Sequence, residues 1–451
     1  MDIFFVSLGC DKNLVDSENM LGILNDNGYS IIDDESAADI IIVNTCCFIH
    51  DAKEESIQTI LEMARYKNTG KLKALIITGC LAERYKDEIL QEIPEVDALL
   101  GTAAFTEILQ VVEQVMEGKK YTYFADLKEL PKNKSKRILS TGTYFSYLKI
   151  AEGCDKHCTY CIIPKVRGNY RSRPMEELIE EATYLASQGV KELILVAQET
   201  TLYGFDIYGK KSLPELLEKL CNIQGINWIR LLYCYPEEIT DELIATISKE
   251  PKICNYLDIP IQHCSDRILK LMGRKTTKDD IIKTVNRLRE SIPDIILRTT
   301  LITGFPTETD IEHEELLSFI KELRFERLGV FTYSKEEDTP AALLKPQITA
   351  KVKKQRQKDL MELQQIIAFE NSSSCIGRVF DVIIEGRIVD KDNVYVGRTY
   401  MDGPKVDGYI FINSENELIS GDIIQAKVTG ANNYDLIGEI EEGSAKDEFA
   451  K

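Results

Sequence analysis

Three apolar runs near the start of the chain each end in a cysteine: IFFVSLGC (residues 3–10), IIIVNTC (40–46) and ALIITGC (74–80). After each run, apolar positions recur at helical spacing, at about 16–27, 53–66 and 82–92. Short strand-like runs alternating with helices predict a parallel sheet covered by helices.

The pattern pauses at KELPKNKSKRILSTGT (128–143), a polar, basic stretch interrupted by proline. It reads as a solvated linker rather than a nucleic-acid contact. Alternation resumes from Tyr144, with strand-like runs at 147–150, 193–198, 228–234, 256–262, 295–303 and 328–333. Six strands with intervening helices predict a partial β/α barrel, whose function sits at the C-terminal ends of the strands. A long helical pattern covers 350–369. Beyond Ser374 come five short β runs, RVFDVII, NVYVGRTY, GYIFIN, DIIQAKV and YDLIGEI. Their close spacing predicts a small antiparallel β barrel. The expected division is an α/β cluster domain with a parallel sheet (1–118), a linker (119–143), the partial barrel (144–372), the β barrel (373–440) and a disordered tail (441–451).

Composition adds little to the fold but narrows the setting. The chain has 451 residues, 44% hydrophobic and 29% charged, the mixture of a globular protein of several domains. No run approaches membrane-spanning length and no secretory signal is visible, so the expected location is cytoplasmic. Twelve cysteines in a reducing compartment point to metal or chemistry rather than disulfides. The net charge of −19 runs against non-specific nucleic-acid binding, where phosphate neutralisation supplies the affinity.

The sharpest chemical signal is EGCDKHCTYC (152–161), with Cys154, Cys158 and Cys161 in a C-x3-C-x2-C pattern directly after the strand YLKIAEG. A cubane iron–sulfur cluster has four iron corners, usually bound by thiolates. Three cysteines leave one iron free to bind a substrate, as an open catalytic zinc does. The competing reading is a zinc loop completed by His157 or a distant ligand. Cys10, Cys46 and Cys80 form a second trio. Ends of successive parallel strands gather on one sheet edge, so these three converge, each beside a glycine or small residue (Gly9, Thr45, Gly79). The trio reads as a second three-ligand cluster, or else as three buried small hydrophobes. Cys46 and Cys47 point to opposite sides of an extended segment, and register alone does not choose between them.

The loop, its preceding strand and the barrel pattern together resemble the radical S-adenosylmethionine superfamily. With the second trio and the terminal β barrel, nearly the whole chain resembles the methylthiotransferase family: a cluster domain, a radical-SAM TIM-like β6/α6 barrel and a TRAM-like barrel. The resemblance implies two 4Fe-4S clusters. S-adenosyl-L-methionine would bind the one on Cys154, Cys158 and Cys161, and a sulfur species the one on Cys10, Cys46 and Cys80. In the family the second ligand follows asparagine–threonine, so VNTC selects Cys46 and leaves Cys47, where glycine is expected, as a bystander.

SLGCDKNLVDSE (7–18), IQHCSDRILKLMGRKTT (261–277) and FTYSKEEDTPA (331–341) resemble the branch that modifies the β-carbon of an aspartate in small-subunit ribosomal protein twelve. The alternative branch acts on isopentenyl-adenosine in tRNA and reads Gly-Cys-Gln-Met-Asn near the first cysteine. A more distant alternative is a non-enzymatic iron–sulfur or zinc scaffold. From Ile376 to Ile440 there are six Lys or Arg against eleven Asp or Glu, a balance of −5. That suits a basic ribosomal protein better than RNA, although a merely solvated barrel would look the same. A small electron donor such as flavodoxin or ferredoxin is the further partner implied.

Polar residues at strand ends are candidates to hold S-adenosylmethionine: Gln198 and Glu199 after LILVA, Gln262 and His263 after another strand, and Arg298, whose planar fork suits a carboxylate. Each could equally be a structural cap. Asp155, Lys156 and His157 are expected to shape the cluster loop. His50 and His313 are expected on the surface, and Cys221, Cys234, Cys254, Cys264 and Cys375 in packing roles.

Overall fold

The protein is described by a computed structural model covering residues 1–132, 136–142, 144–389, 391 and 393–441. The tail expected to be disordered lies, Glu441 apart, outside the described residues.

The first sheet is wholly parallel: β1 (Asp2–Ser7), β2 (Ser30–Ile31), β3 (Ile40–Thr45), β4 (Ala74–Gly79), β5 (Ala98–Leu100) and β6 (Tyr121–Tyr123), in the order β2-β1-β3-β4-β5-β6. β3 and β4 are buried along their whole length, which is why they read as continuous apolar runs. Their residues divide between two cores. Ile41, Val43, Leu75 and Ile77 face one helical layer, and Ile40, Ile42, Ala74 and Ile76 face the other.

The linker expected from residue 119 starts too early, because Tyr121–Tyr123 pairs with β5 as the sheet's edge. Nor is the described part of the connector simply solvated. Arg137 is 3% exposed, donates to Ser146 Oγ at 2.6 Å and pairs with Glu181 at 3.4 Å, while Ser140 donates to Glu18 at 2.7 Å.

The second sheet comprises β7 (Phe145–Lys149), β10 (Glu192–Val196), β11 (Trp228–Leu231), β12 (Ile253–Asp258), β13 (Ile296–Thr303) and β14 (Arg327–Thr332), all parallel and adjacent in chain order. A small hairpin, β8 (Ala151–Glu152) with β9 (Arg171–Ser172), brackets the three-cysteine loop. Alternate residues separate the two faces. Leu193 and Leu195 join the core under the outer helices, whereas Ile194 and Val196 pack with Phe145 and Tyr147 on the other face.

The last unit is a closed barrel of β15 (Val379–Arg387), β16 (Val394–Arg398), β17 (Ile410–Asn413), β18 (Ile423–Asn432) and β19 (Asp435–Ile440). It is antiparallel except for β17 against β19. An odd number of strands closed in a ring cannot alternate throughout, so one pair must run parallel. The preceding helix, Ala350–Ser374, packs on β14. Among the described residues no helix is long and apolar enough to cross a membrane.

Candidate active site

The three upstream cysteines lie one to three residues past adjacent strand ends. Ser7, Asn44 and Thr78 stand in register across β1, β3 and β4, so Cys10, Cys46 and Cys80 emerge on the same C-terminal edge. Cys10 caps the helix α1 (Asp11–Asp26), and Cys80 opens the helix Cys80–Glu92. Two glycines make the convergence feasible. Gly9 and Gly79 both have φ +90°; a Cβ on Gly9 would stand 2.7 Å from the Cys46 Cβ, and one on Gly79 would stand 2.6 Å from the Thr45 carbonyl oxygen. Beneath them, Asn44 donates to Asn13 O and Ser17 Oγ at 2.9 Å each, and Asn13 donates to Thr45 O at 2.9 Å. These bonds tie the DKN and VNT segments together.

Cys46 and Cys47 differ in their surroundings. Burial, then Cys80 and Cys10 nearby, push the Cys46 thiol up to about 12. Cys47 is fully buried in the apolar core under the edge, with its Sγ 3.2 Å from Cys80 O.

The second trio follows β7. Gly153 has φ +79°, and a Cβ there would collide with the Asn169 carbonyl. Cys154 N–H donates to Gly168 O at 3.1 Å, Asp155 accepts from Tyr170 N–H at 3.1 Å, and Thr159 donates from N and Oγ1 to Met272 O and Leu271 O at 2.9 and 2.7 Å. His157 takes φ +50°, left-handed for a non-glycine residue. Cys154, Cys158 and Cys161 are mutual neighbours, and burial pushes the Cys154 thiol up to about 12. Among the described residues no three or more Cys, His, Asp or Glu side chains close on a single metal ion. A four-iron cube binds thiolates at separate corners and spreads them wider than one ion does.

One loop has residues near both trios. Just past β11, Tyr233 (φ +60°) donates its hydroxyl to Asp11 Oδ1 at 3.1 Å and neighbours Cys10, while Tyr235, two residues on, neighbours Cys158 and Cys154. Arg274 stacks over the Tyr235 ring at 4.3 Å. A buried charge network fills the other side. Arg167 (2% exposed) donates to Asp16 at 2.8 Å, to Glu152 at 3.1 Å and to Asn13 Oδ1, an oxygen 3.8 Å from Cys80 Sγ. Lys149 reaches both Asp16 and Glu152. Burial alone would raise the Glu152 carboxyl, but Arg167 and Lys149 hold it well below the usual range.

The polar strand-end candidates separate on inspection. Gln198 donates to Glu152 at 2.9 Å and leaves its own buried Oε1 without a donor. Glu199 is fully buried, 3.4 Å from Lys156 Nζ, and neither carboxylate oxygen accepts a hydrogen bond. Burial raises it to about 7 against the pull of Lys156. Gln262 adopts φ +71°, also with an unpartnered buried Oε1. His263 is fully buried, accepts from Ser265 N–H at 3.0 Å, and is driven down to about 3 by burial.

Arg298 does not join them. Its guanidinium is held by Asp258 at 2.9 Å and by Asp407 of the C-terminal barrel at 3.5 Å, so its charge is already satisfied inside the chain. Two further expectations need revision or completion. His313 is buried rather than on the surface, 3.4 Å from Asp359, whereas His50 is exposed as expected. Lys156 does shape its loop, through Glu199, Glu237 and Glu238.

Sequence reasoning missed Lys12, Asn13, Lys149, Glu152, Arg167, Tyr233 and Tyr235. The one available signal was proximity in sequence: most lie within a few residues of a cluster cysteine or a strand end.

Comparison with known proteins agrees with this construction. Residues 2–101 match the family model "Uncharacterized protein family UPF0004", residues 148–320 the radical SAM superfamily and residues 376–440 the TRAM domain. Among solved structures, the radical S-adenosylmethionine methyltransferase TsrM from Kitasatospora setae superposes with a TM-score of 0.58 at 13% identity, covering 76% of this chain and 74% of that one, a likeness of fold. The ribosomal protein uS12 methylthiotransferase RimO of Lachnoclostridium phytofermentans is 63% identical over 441 residues, covering 98% of this chain and 100% of that protein. The protein of the same name from Clostridioides difficile is 50% identical over 440 residues, covering 98% and 99%. With three cysteines just past adjacent strand ends ahead of a radical-SAM domain, and identity of this extent along the whole chain, the protein belongs to the ribosomal protein uS12 methylthiotransferase RimO family.

Proposed function

We propose that the protein is a radical-SAM methylthiotransferase that adds a methylthio group to the β-carbon of an aspartate in ribosomal protein uS12. One observation carries the reading: Arg167, next to the Gly168 whose carbonyl accepts from Cys154 N–H, donates to Asn13 Oδ1, which stands 3.8 Å from Cys80 Sγ, so a hydrogen-bonded path joins the surroundings of the two trios.

In this reading Cys154, Cys158 and Cys161 hold the cluster that binds S-adenosylmethionine, and Cys10, Cys46 and Cys80 hold an auxiliary cluster. The donor sets fit: glycines beside the cysteines leave no room for a side chain, and buried oxygens of Gln198, Glu199 and Gln262 lack partners within the chain. When bound, the two groups supply hydrogen abstraction and a sulfur source. The chain's own residues do the rest. Glu199, with its vacant oxygens, binds an amino or hydroxyl group of S-adenosylmethionine. Lys156 holds Glu199 against its neighbours Glu237 and Glu238. Tyr233, Tyr235 and the Arg167 network line the space and exclude water, so a reactive carbon meets sulfur before solvent. A small flavodoxin- or ferredoxin-type donor supplies electrons, and the setting is cytoplasmic. The acidic C-terminal barrel suits a basic protein substrate better than RNA.

The test is anaerobic incubation of the reconstituted protein with reductant, S-adenosylmethionine and either uS12 or tRNA. A methylthio mass gain on the aspartate-containing peptide, with none on tRNA, is the expected result; the reverse pattern overturns the reading.

A further inference from the structure

The region between the two cysteine trios holds several cations, and most of them are engaged by carboxylates. Arg167 is bound by Asp16, Glu152 and Asn13. Lys149 is bound by Asp16 and Glu152, and Lys156 sits among three glutamates. Lys12 is different. It lies two residues past Cys10 in the first turn of α1 and is 6% exposed. Its ammonium stands 3.2 Å from Asp11 Oδ1 and 3.2 Å from the centroid of the Tyr233 ring. Among the described residues those are its partners, and an ammonium has three N–H donors to satisfy. The one carboxylate it pairs with is shared, since Asp11 Oδ1 also accepts the Tyr233 hydroxyl. Asp11 Oδ2, buried and without a donor, adds a free acceptor beside it.

We propose that Lys12 is a carboxylate-binding subsite that anchors the side chain of the target aspartate. The inference rests on the function proposed above. An ionised carboxylate buried beside Cys10 needs a cation, because burying it unpaired is costly. Beside the auxiliary trio Lys12 is the cation with donors to spare, whereas Arg274, with unpartnered Nε and Nη1, lies on the side of Cys158; the aromatic ring beneath Lys12 holds the ammonium in place without neutralising it. The location suits the chemistry as well. The reacting β-carbon is bonded directly to the carboxyl carbon, so fixing the carboxylate fixes the carbon to be modified within one bond. That is the positional control a short-lived radical requires. Lys12 lies two residues past Cys10 in the first turn of α1, so the anchored carbon is held on the auxiliary-trio side. The free Asp11 oxygen is suited to an N–H of the incoming chain.

The experiment measures binding of a fluorescent peptide spanning the target loop of uS12 to the reconstituted, anaerobic protein, by anisotropy. The peptide carries either the native aspartate or asparagine at the modified position. Wild-type protein should prefer the aspartate peptide by about 10- to 100-fold, the range for a hydrogen bond to a charged group. Lys12→Met, similar in length and without charge, should bring the two peptides to equal affinity by weakening the aspartate peptide alone. Lys12→Arg should restore part of the preference. Iron content and circular dichroism confirm that each variant is loaded and folded; should Lys12→Met fail to fold, Lys12→Gln reads the same ratio. No preference in the wild type, or an undiminished preference in a loaded Lys12→Met protein, overturns the subsite. Mass spectrometry of the aspartate peptide after turnover by the wild type keeps the two ideas apart. Absence of methylthiolation there counts against the proposed function, whereas methylthiolation together with a Lys12→Met protein that still discriminates counts against Lys12 alone.

Discussion

At the scale of single residues, Cys46 and Cys47 are adjacent yet differ in surroundings: Cys46 has Cys10 and Cys80 nearby, whereas Cys47 is fully buried in the apolar core that Cys80 also joins, away from Cys10. Cys46→Ser should therefore lose about half of the bound iron, while Cys47→Ser keeps it and loses only packing. Iron assay and visible absorption of the anaerobic proteins check this, and equal loss in both would contradict the assignment. His263 gives a pH prediction. Its folded value lies near 3, well below that of a free histidine, so between those limits only the unfolded chain takes up the proton. Stability is therefore present above about pH 6.5 and lost as pH falls toward 3. From pH 7 to 5 this one group should cost about 2 kcal/mol of folding stability. Urea unfolding of wild type and His263→Asn at both pH values should show the variant with the shallower pH dependence.

At the scale of elements, the apolar runs that end in cysteine were legible because β3 and β4 are buried on both faces and pack parallel neighbours. Helix starts were less so. The first helix begins at Asp11, not near 16, because the polar stretch DKN reads as loop until one sees Asn13 bonded beneath the strand ends. Tyr121–Tyr123 escaped notice since a three-residue edge strand carries no apolar run. Buried charges were illegible altogether: nothing in KSKRILS marks Arg137 as interior, because its burial depends on Ser146 and Glu181, which come from elsewhere in the chain. The grouping of the two cysteine trios was legible because their spacing is local or set by strand period, whereas Tyr233 and Arg167 depend on how the two sheets meet. The strand-to-helix turn after β4 offers a test at this scale. Gly79 holds φ +90° with the Thr45 carbonyl where a Cβ would go. Gly79→Ala should cost about 1–3 kcal/mol in backbone strain and displacement, read as a lower unfolding midpoint together with reduced iron content. A variant with unchanged midpoint would show that the turn relaxes.

At the scale of the whole molecule, the two ends of the partial barrel do different work. One end opens onto the cysteines; the other is closed by the C-terminal barrel through charge rather than apolar contact alone. Glu192, the first residue of β10, is fully buried between Arg230 at 2.6 Å and Arg398 at 2.7 Å. Arg230 also donates to Tyr400 O at 2.7 Å, Arg327 pairs with Asp402 at 2.6 Å, and Tyr256 donates to Asp407 at 2.7 Å. Burial alone would raise the Glu192 carboxyl, but Arg398 and Arg230 together hold it below its ordinary value. Such a cluster is stable only while complete, because removing one partner strands the others without water. Glu192→Gln leaves Arg230 with no other carboxylate partner among the described residues, while Arg398 keeps Glu385. The variant should lose about 3–5 kcal/mol of stability, and limited proteolysis should release the C-terminal barrel before the barrel core is cut. Replacing Glu192 and Arg230 together by leucine and methionine should recover much of the loss, since apolar groups of similar volume need no counter-charge. The cysteine loop lies beyond the C-terminal end of β7, away from this plug, so folded Glu192→Gln protein should still take up its full iron. Loss of iron in step with stability would instead mean that the closed end and the open end of the barrel act as one cooperative unit.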